Sequence, residues 1–134
     1  MALQTFTAGQ VLTAAQVNAL QANDYNQTVS TKTASYVLVA ADKGTRVVMN
    51  SASATTITVN TSLFNAGDTL FIQNIGAGVC TVTAGTATVS GASLALAQFQ
   101  GGTLYFTSAG VSILFTGGSG SAGASFSELL LIGA

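Results

Sequence analysis

The spacing of apolar residues changes twice along the chain, and each change marks a different kind of element. Around residues 12–23 the spacing is helical. Thr13 and Gln16 stand three apart as a capping box, in which the Thr13 hydroxyl accepts the backbone N–H of residue 16 and the Gln16 side chain turns back to the cap. Leu12 before the cap and Val17 after it are spaced as a hydrophobic staple. From Ala14 onward there is no helix breaker, and Val17 and Leu20 share one side while Gln16, Gln21 and Asn23 cover much of the rest. A helix of about ten residues is marginal alone in water. The spacing therefore predicts a short amino-terminal helix that docks on its own domain or on another chain.

From about Thr33 the helical spacing gives way to short β-branched and aromatic runs bounded by Gly, Ser, Asn and Asp. Tyr36–Val39 is followed by a turn at 40–44 and by Arg46–Met49. In Thr56–Val59, Ile57 and Val59 face one way and the threonines the other. Thr69–Gln73, Val79–Thr83, Thr86–Val89 and a short run at Leu94 and Leu96 continue the series. Thr103–Phe106 and Val111–Phe115 read as a closing hairpin through residues 107–110. The expected fold is all-β: a sandwich or barrel of about eight short antiparallel strands, preceded by a short N-terminal helix.

After Gly117 the pattern changes again. The stretch GGSGSAGAS, which begins with Gly117 itself, has the composition of a flexible linker, and it leads to an apolar peptide containing Phe126, Leu129, Leu130, Leu131 and Ile132. Burying each of these side chains is worth about 1.5–3 kcal/mol, so the peptide is expected to dock, and the tether lets the place be a neighbouring chain. The chain thus divides into an arm and anchoring helix (1–30), a β domain (31–117) and a linker with an apolar docking peptide (118–134). The residues expected to carry assembly are Phe6, Leu12, Val17 and Leu20 at one end and Phe126, Leu129, Leu130 and Leu131 at the other.

Composition narrows the function. Of 134 residues only 5% are charged, 49% are hydrophobic, and there is no histidine, tryptophan or proline. Ordinary soluble domains carry roughly 25% charged residues. Without histidine there is no His-based triad and no imidazole metal ligand, and with Cys80 alone there is neither an intrachain disulfide nor a cysteine zinc cluster. A net charge of −1 is far from the basic stripe that nucleic acid requires. No apolar run approaches the roughly 20 residues of a spanning helix, so neither nucleic acid nor membrane is an expected partner. The amino end lacks the basic start and apolar core of a secretory signal, which implies synthesis in a cytoplasm.

The candidate chemistry is sparse. The four carboxylates are Asp24, Asp42, Asp68 and Glu128, and none has a sequence neighbour that makes a catalytic pair. Asp42 and Asp68 stand in turns, where carboxylates accept local backbone N–H groups. Cys80 reads as a small half-buried strand residue, and no base is present to activate it. Gly76-Ala77-Gly78 and Gly117-Gly118 do not open a helix or precede a Lys-Ser/Thr pair, so they read as turns rather than phosphate loops. The expectation is a non-enzymatic protein with no catalytic residues, no metal site and no cofactor.

Residues 6–18, FTAGQVLTAAQVN, resemble the F-x-x-G-x-x-L-T-A-x-x-x-N opening of many tailed-bacteriophage virion proteins. Ala34–Asn50, Thr56–Val59, Phe64–Asp68 and Gly78–Gly85 are similar to a β-rich module of phage fibre, tail-tip and capsid-surface proteins. The resemblance spans about residues 6–116. It implies a structural part of a virion, commonly a trimer, with an amino-terminal anchor and an exposed β domain.

Taken together, these readings predict a capsid-surface decoration or short fibre protein that works as a homotrimer and is made in the host cytoplasm before joining the virion. Its partners are itself and other virion proteins, such as the major capsid or tail proteins. The alternative is a tail-tip or tail-fibre module that binds host-surface glycans through Tyr36, Tyr105 and Phe99. A glycan-cleaving enzyme would need two carboxylates to meet through tertiary or intersubunit contacts.

Overall fold

The computed structural model describes residues 6–117. Helix α1 spans Ala14–Tyr25 and begins at the expected cap. The Thr13 hydroxyl accepts the Gln16 N–H at 3.2 Å, and the Thr13 N–H donates to Gln16 Oε1 at 2.9 Å. Ten strands follow among the described residues: β1 (Val29–Lys32), β2 (Tyr36–Val37), β3 (Arg46–Met49), β4 (Thr55–Val59), β5 (Thr69–Asn74), β6 (Cys80–Ala84), β7 (Thr88–Gly91), β8 (Ala95–Leu96), β9 (Gln100–Ser108) and β10 (Val111–Thr116). Strand β1 begins inside the segment expected to be arm, because Val29-Ser30-Thr31-Lys32 contains only one apolar residue to betray it.

The strands form a wide sheet in the order β1-β3-β5-β9-β10-β7 and a narrow one in the order β2-β4-β6-β8. From β1 to β8 the chain alternates between the two sheets, so each connection crosses rather than doubling back. Equivalent strands of successive turns then stack in parallel. Val29, Arg46 and Phe71 lie side by side in the wide sheet, as do Tyr36, Ile57 and Val82 in the narrow one. This is a β-solenoid, and it corrects the expected antiparallel sandwich or barrel. Five strand pairings are parallel and three are antiparallel. The expected hairpin of β9 and β10 is present, but the Gly, Ser and Asn clusters between earlier strands are corners of a coil.

Period-2 alternation points one side chain in two between the sheets. Leu38, Val47, Met49, Ile57, Val59, Leu70, Ile72 and Val82 fill that space, none more than 1% exposed. Phe64, from the loop between β4 and β5, stacks on Phe106 of β9 with ring centroids 4.4 Å apart.

The corners are held by close stacking of one turn on the next. A Cβ at Gly76 would collide with the backbone of Ser51, and one at Gly78 with the backbone of Ser53. Only glycine lets these two corners meet. Beside them the fully buried Asn74 ties three backbone groups together. Its Nδ2 donates to the carbonyls of Gly78 at 2.8 Å and Leu96 at 2.9 Å, while its Oδ1 accepts the Gly76 N–H at 3.0 Å. At the opposite corner, Asn60 Oδ1 accepts the Thr86 N–H at 3.0 Å.

The two ends of the coil are finished differently. At the amino end the Lys32 ammonium sits 3.9 Å above the Tyr36 ring, and the Tyr36 hydroxyl donates to Asp42 Oδ2 at 3.0 Å. At the other end β9 runs antiparallel to β5 and β8 antiparallel to β6.

Candidate functional site

The residues expected to carry assembly at the amino end are all exposed: Phe6 (39%), Leu12 (53%), Val17 (48%) and Leu20 (39%). No side chain of residues 14–22 is buried. α1 is therefore a capped helix whose Val17 and Leu20 find no full cover among the described residues. The expected carboxy-terminal docking residues, Phe126, Leu129, Leu130 and Leu131, lie outside the described residues.

A second surface was not anticipated. The solenoid has two outer faces, and they differ in chemistry. On the narrow sheet, register places Thr56 beside Thr81 and Thr58 beside Thr83, with the last two hydroxyls 3.4 Å apart. On the wide sheet, one row runs Val29, Arg46, Phe71, Thr103, Phe115. The next places Tyr105 beside Ile113. Phe115 is 57% exposed and Tyr105 36%. The signal was readable: β5 and β10 carry apolar residues at both parities, so that Leu70 and Ile72 point inward while Phe71 points out.

Arg46 is the one charged side chain on this outer face among the described residues. Its guanidinium lies 5.4 Å from the Phe71 ring centroid, and it donates to Gln73 Oε1 at 3.1 Å and Gln27 Oε1 at 3.3 Å. Of the rings considered for glycan stacking, Tyr36 is committed to Asp42 and Lys32. Phe99 is 80% exposed, on backbone with φ of 64°.

Asp42 and Asp68 serve local backbone. Asp42 is buried in a single 3₁₀ turn, Ala40–Asp42, and its Oδ2 accepts the Val39 N–H at 2.8 Å as well as the Tyr36 hydroxyl. Asp68 Oδ2 accepts the Asn65 N–H at 2.8 Å and pairs with Lys43 Nζ at 2.9 Å. The Asn65 N–H and then the Lys43 ammonium hold the Asp68 carboxyl below its ordinary value. Cys80 is fully buried, and burial pushes its thiol up, partly offset by the neighbouring Thr55 hydroxyl. Among the described residues no three His, Cys, Asp or Glu side chains converge as metal ligands, and no helix is long and apolar enough to cross a membrane.

The geometry thus offers two apolar surfaces and no converging set of reactive groups among the described residues. No family model, curated protein or solved structure matches the chain.

Proposed function

We propose that the chain is a non-enzymatic structural subunit of a tailed-bacteriophage virion, a capsid-surface decoration or short fibre protein that works as a homotrimer. The observation that carries the assembly role is α1: a helix with a complete capping box and no buried side chain over residues 14–22. Such a helix is too short to persist in water without a partner, and Leu12, Val17 and Leu20 supply the side that a partner covers. The resemblance of residues 6–18 to the opening of phage virion proteins supports the kind of particle. The scarcity of charge supports dense packing of copies, since little long-range repulsion separates them. On a capsid, many copies that bind only the assembled shell stabilise it by mass action.

The test is quantitative mass spectrometry of purified particles of the encoding phage. Copies in the hundreds identify a decoration protein, and a few per particle identify a fibre or tail component. Absence from particles overturns the proposal.

A second reading, a fibre module that binds host glycans, is favoured by Phe99, whose ring is held out into solvent on left-handed backbone. Stacking on sugar rings is a use for such a ring. A glycan array probed with the full chain and with Phe99→Ala decides it: binding lost in the variant supports this reading, and silence of the parent rejects it.

A further inference from the structure

We infer that the outer face of the wide sheet is the docking place of the chain's own carboxy-terminal peptide, residues 126–132, brought back onto the same molecule. This docking goes beyond the reading above and needs no particle. The face groups Phe71, Tyr105, Ile113 and Phe115 around Thr103, whereas the narrow sheet turns rows of threonine outward. An apolar cluster of this kind marks a place that something covers. Continuity, charge and area name the occupant.

Strand β10 ends at Thr116, one residue beyond Phe115, so the chain leaves the β domain from the edge of the face itself. The nine residues 117–125, GGSGSAGAS, come next, and a Gly/Ser tether of that length has a root-mean-square reach of about 15–18 Å. From β10 across β9 and β5 to β3 is three strand spacings, about 14 Å. Reach and span match, which is the condition for the highest effective concentration of a tethered group.

Charge points the same way. Arg46 lies on the row that ends at Phe115, and the groups that hold its guanidinium, Gln73, Gln27 and the Phe71 ring, are all neutral. Asp68 is already paired with Lys43, and Asp42 is buried in its own turn. Glu128 is the one charged side chain of residues 117–134, and it stands between Phe126 and the run Leu129–Ile132. An apolar face with one cation thus meets an apolar peptide with one anion.

The face measures about 400 Å², half of the roughly 800 Å² per partner that a stable interface between separate molecules needs. A separate partner gives up its translational and rotational freedom on binding. A tethered peptide has surrendered most of that freedom in advance and meets the face at an effective concentration of about millimolar, so a patch too small for a free partner is sufficient for it.

The experiment uses the full chain with Phe115→benzoylphenylalanine or Tyr105→benzoylphenylalanine as photo-crosslinker. Normal and isotope-labelled chains are mixed and irradiated, circular dichroism establishes that each variant is folded, and two positions keep the test usable if one is not. The expected result is crosslinking onto residues 126–132 of the same chain. The yield is expected to fall at least tenfold when Leu129→Ser, Leu130→Ser and Leu131→Ser are combined, and at least threefold in Glu128→Lys, with recovery when Arg46→Glu is added. If the Arg46→Glu chain does not fold, Glu128→Lys carries the charge test alone. A tether that merely sweeps past the face crosslinks equally in all of these, so a yield unchanged by the serines or by Glu128→Lys overturns the docking. Crosslinks only between labelled and unlabelled chains, or none onto residues 126–132, overturn it as well.

Discussion

Replacing Asn74 tests how the coil is stitched. The side chain is fully buried and satisfies three backbone groups in two places: the corner at Gly76 and Gly78, and the short strand β8 at Leu96. Asn74→Ala orphans the Gly78 carbonyl, takes one donor from the Leu96 carbonyl, which keeps Cys80 as its partner in the β6–β8 ladder, and leaves the Gly76 N–H with only a 3.3 Å contact to the Met49 carbonyl. An unsatisfied buried group costs about 1–3 kcal/mol, so the orphaned Gly78 carbonyl predicts a loss of about that size, a sizeable share of the roughly 5–15 kcal/mol that holds a typical domain together. Asn74→Asp is the sharper variant. It keeps size and shape but replaces a donor facing two carbonyls with a carboxylate oxygen, which is tolerated only when protonated. The folded state therefore raises that carboxyl, and the stability of the variant falls as pH climbs above the ordinary carboxylate value near 3.9. Urea unfolding followed by circular dichroism at pH 4 and pH 7 reads both effects. Asn74→Asp is expected to be less stable than Asn74→Ala at pH 7 and to recover in part at pH 4. If Asn74→Asp unfolds within 1 kcal/mol of the parent at pH 7, the hydrogen-bond account of this corner is wrong.

Three further outcomes follow from the same structure. Gly78→Ala drives a methyl into the backbone of Ser53 and is expected to cost about 1–3 kcal/mol in the same urea assay, whereas Gly117→Ala, with open space around it, is expected to change stability by less than about 0.5 kcal/mol. The Asp68 carboxyl is expected to titrate below the ordinary value by NMR and to move up in Lys43→Ala; its stabilising contribution, present above the unfolded value, is lost as pH falls through the folded one. Native protein is expected to protect Cys80 from a thiol reagent, with labelling that accelerates only as urea unfolds the chain; labelling at the rate of an exposed thiol in native buffer contradicts its burial.

Local patterns in the sequence identify many of the elements, while the way they are paired stays hidden. Thr13 and Gln16 mark the start of α1 because a capping box is made within one turn. Ile57 and Val59 alternate with threonines because only one face of β4 is buried. Hairpin turns and solenoid corners, however, draw on the same residues. Asn65-Ala66-Gly67-Asp68 and Gly76-Ala77-Gly78 look alike whether the chain doubles back or crosses to the facing sheet, and only the stacking of Gly76 on Ser51 distinguishes them. That contact joins residues far apart in sequence. Exposed apolar residues are legible in the same uneven way: Val17 and Leu20 stand out at helical spacing, while Phe71 and Phe115 become one surface only once register places both beside Thr103.

The two ends of the coil differ in the sense of their outer strands. A solenoid lengthens by laying a parallel strand on the last rung, and here β9 and β8 occupy those places on β5 and β6 in the opposite sense. Beyond them the wide sheet continues through β10 to its edge strand β7, while β8 is itself the edge of the narrow sheet. At the amino end Lys32 and Tyr36 cover the core but leave the outer edges of β1 and β2 unpaired within the described chain. The coil thus carries parallel rungs and α1 at its amino end and reversed strands at the other, so the sense of the backbone changes along its length.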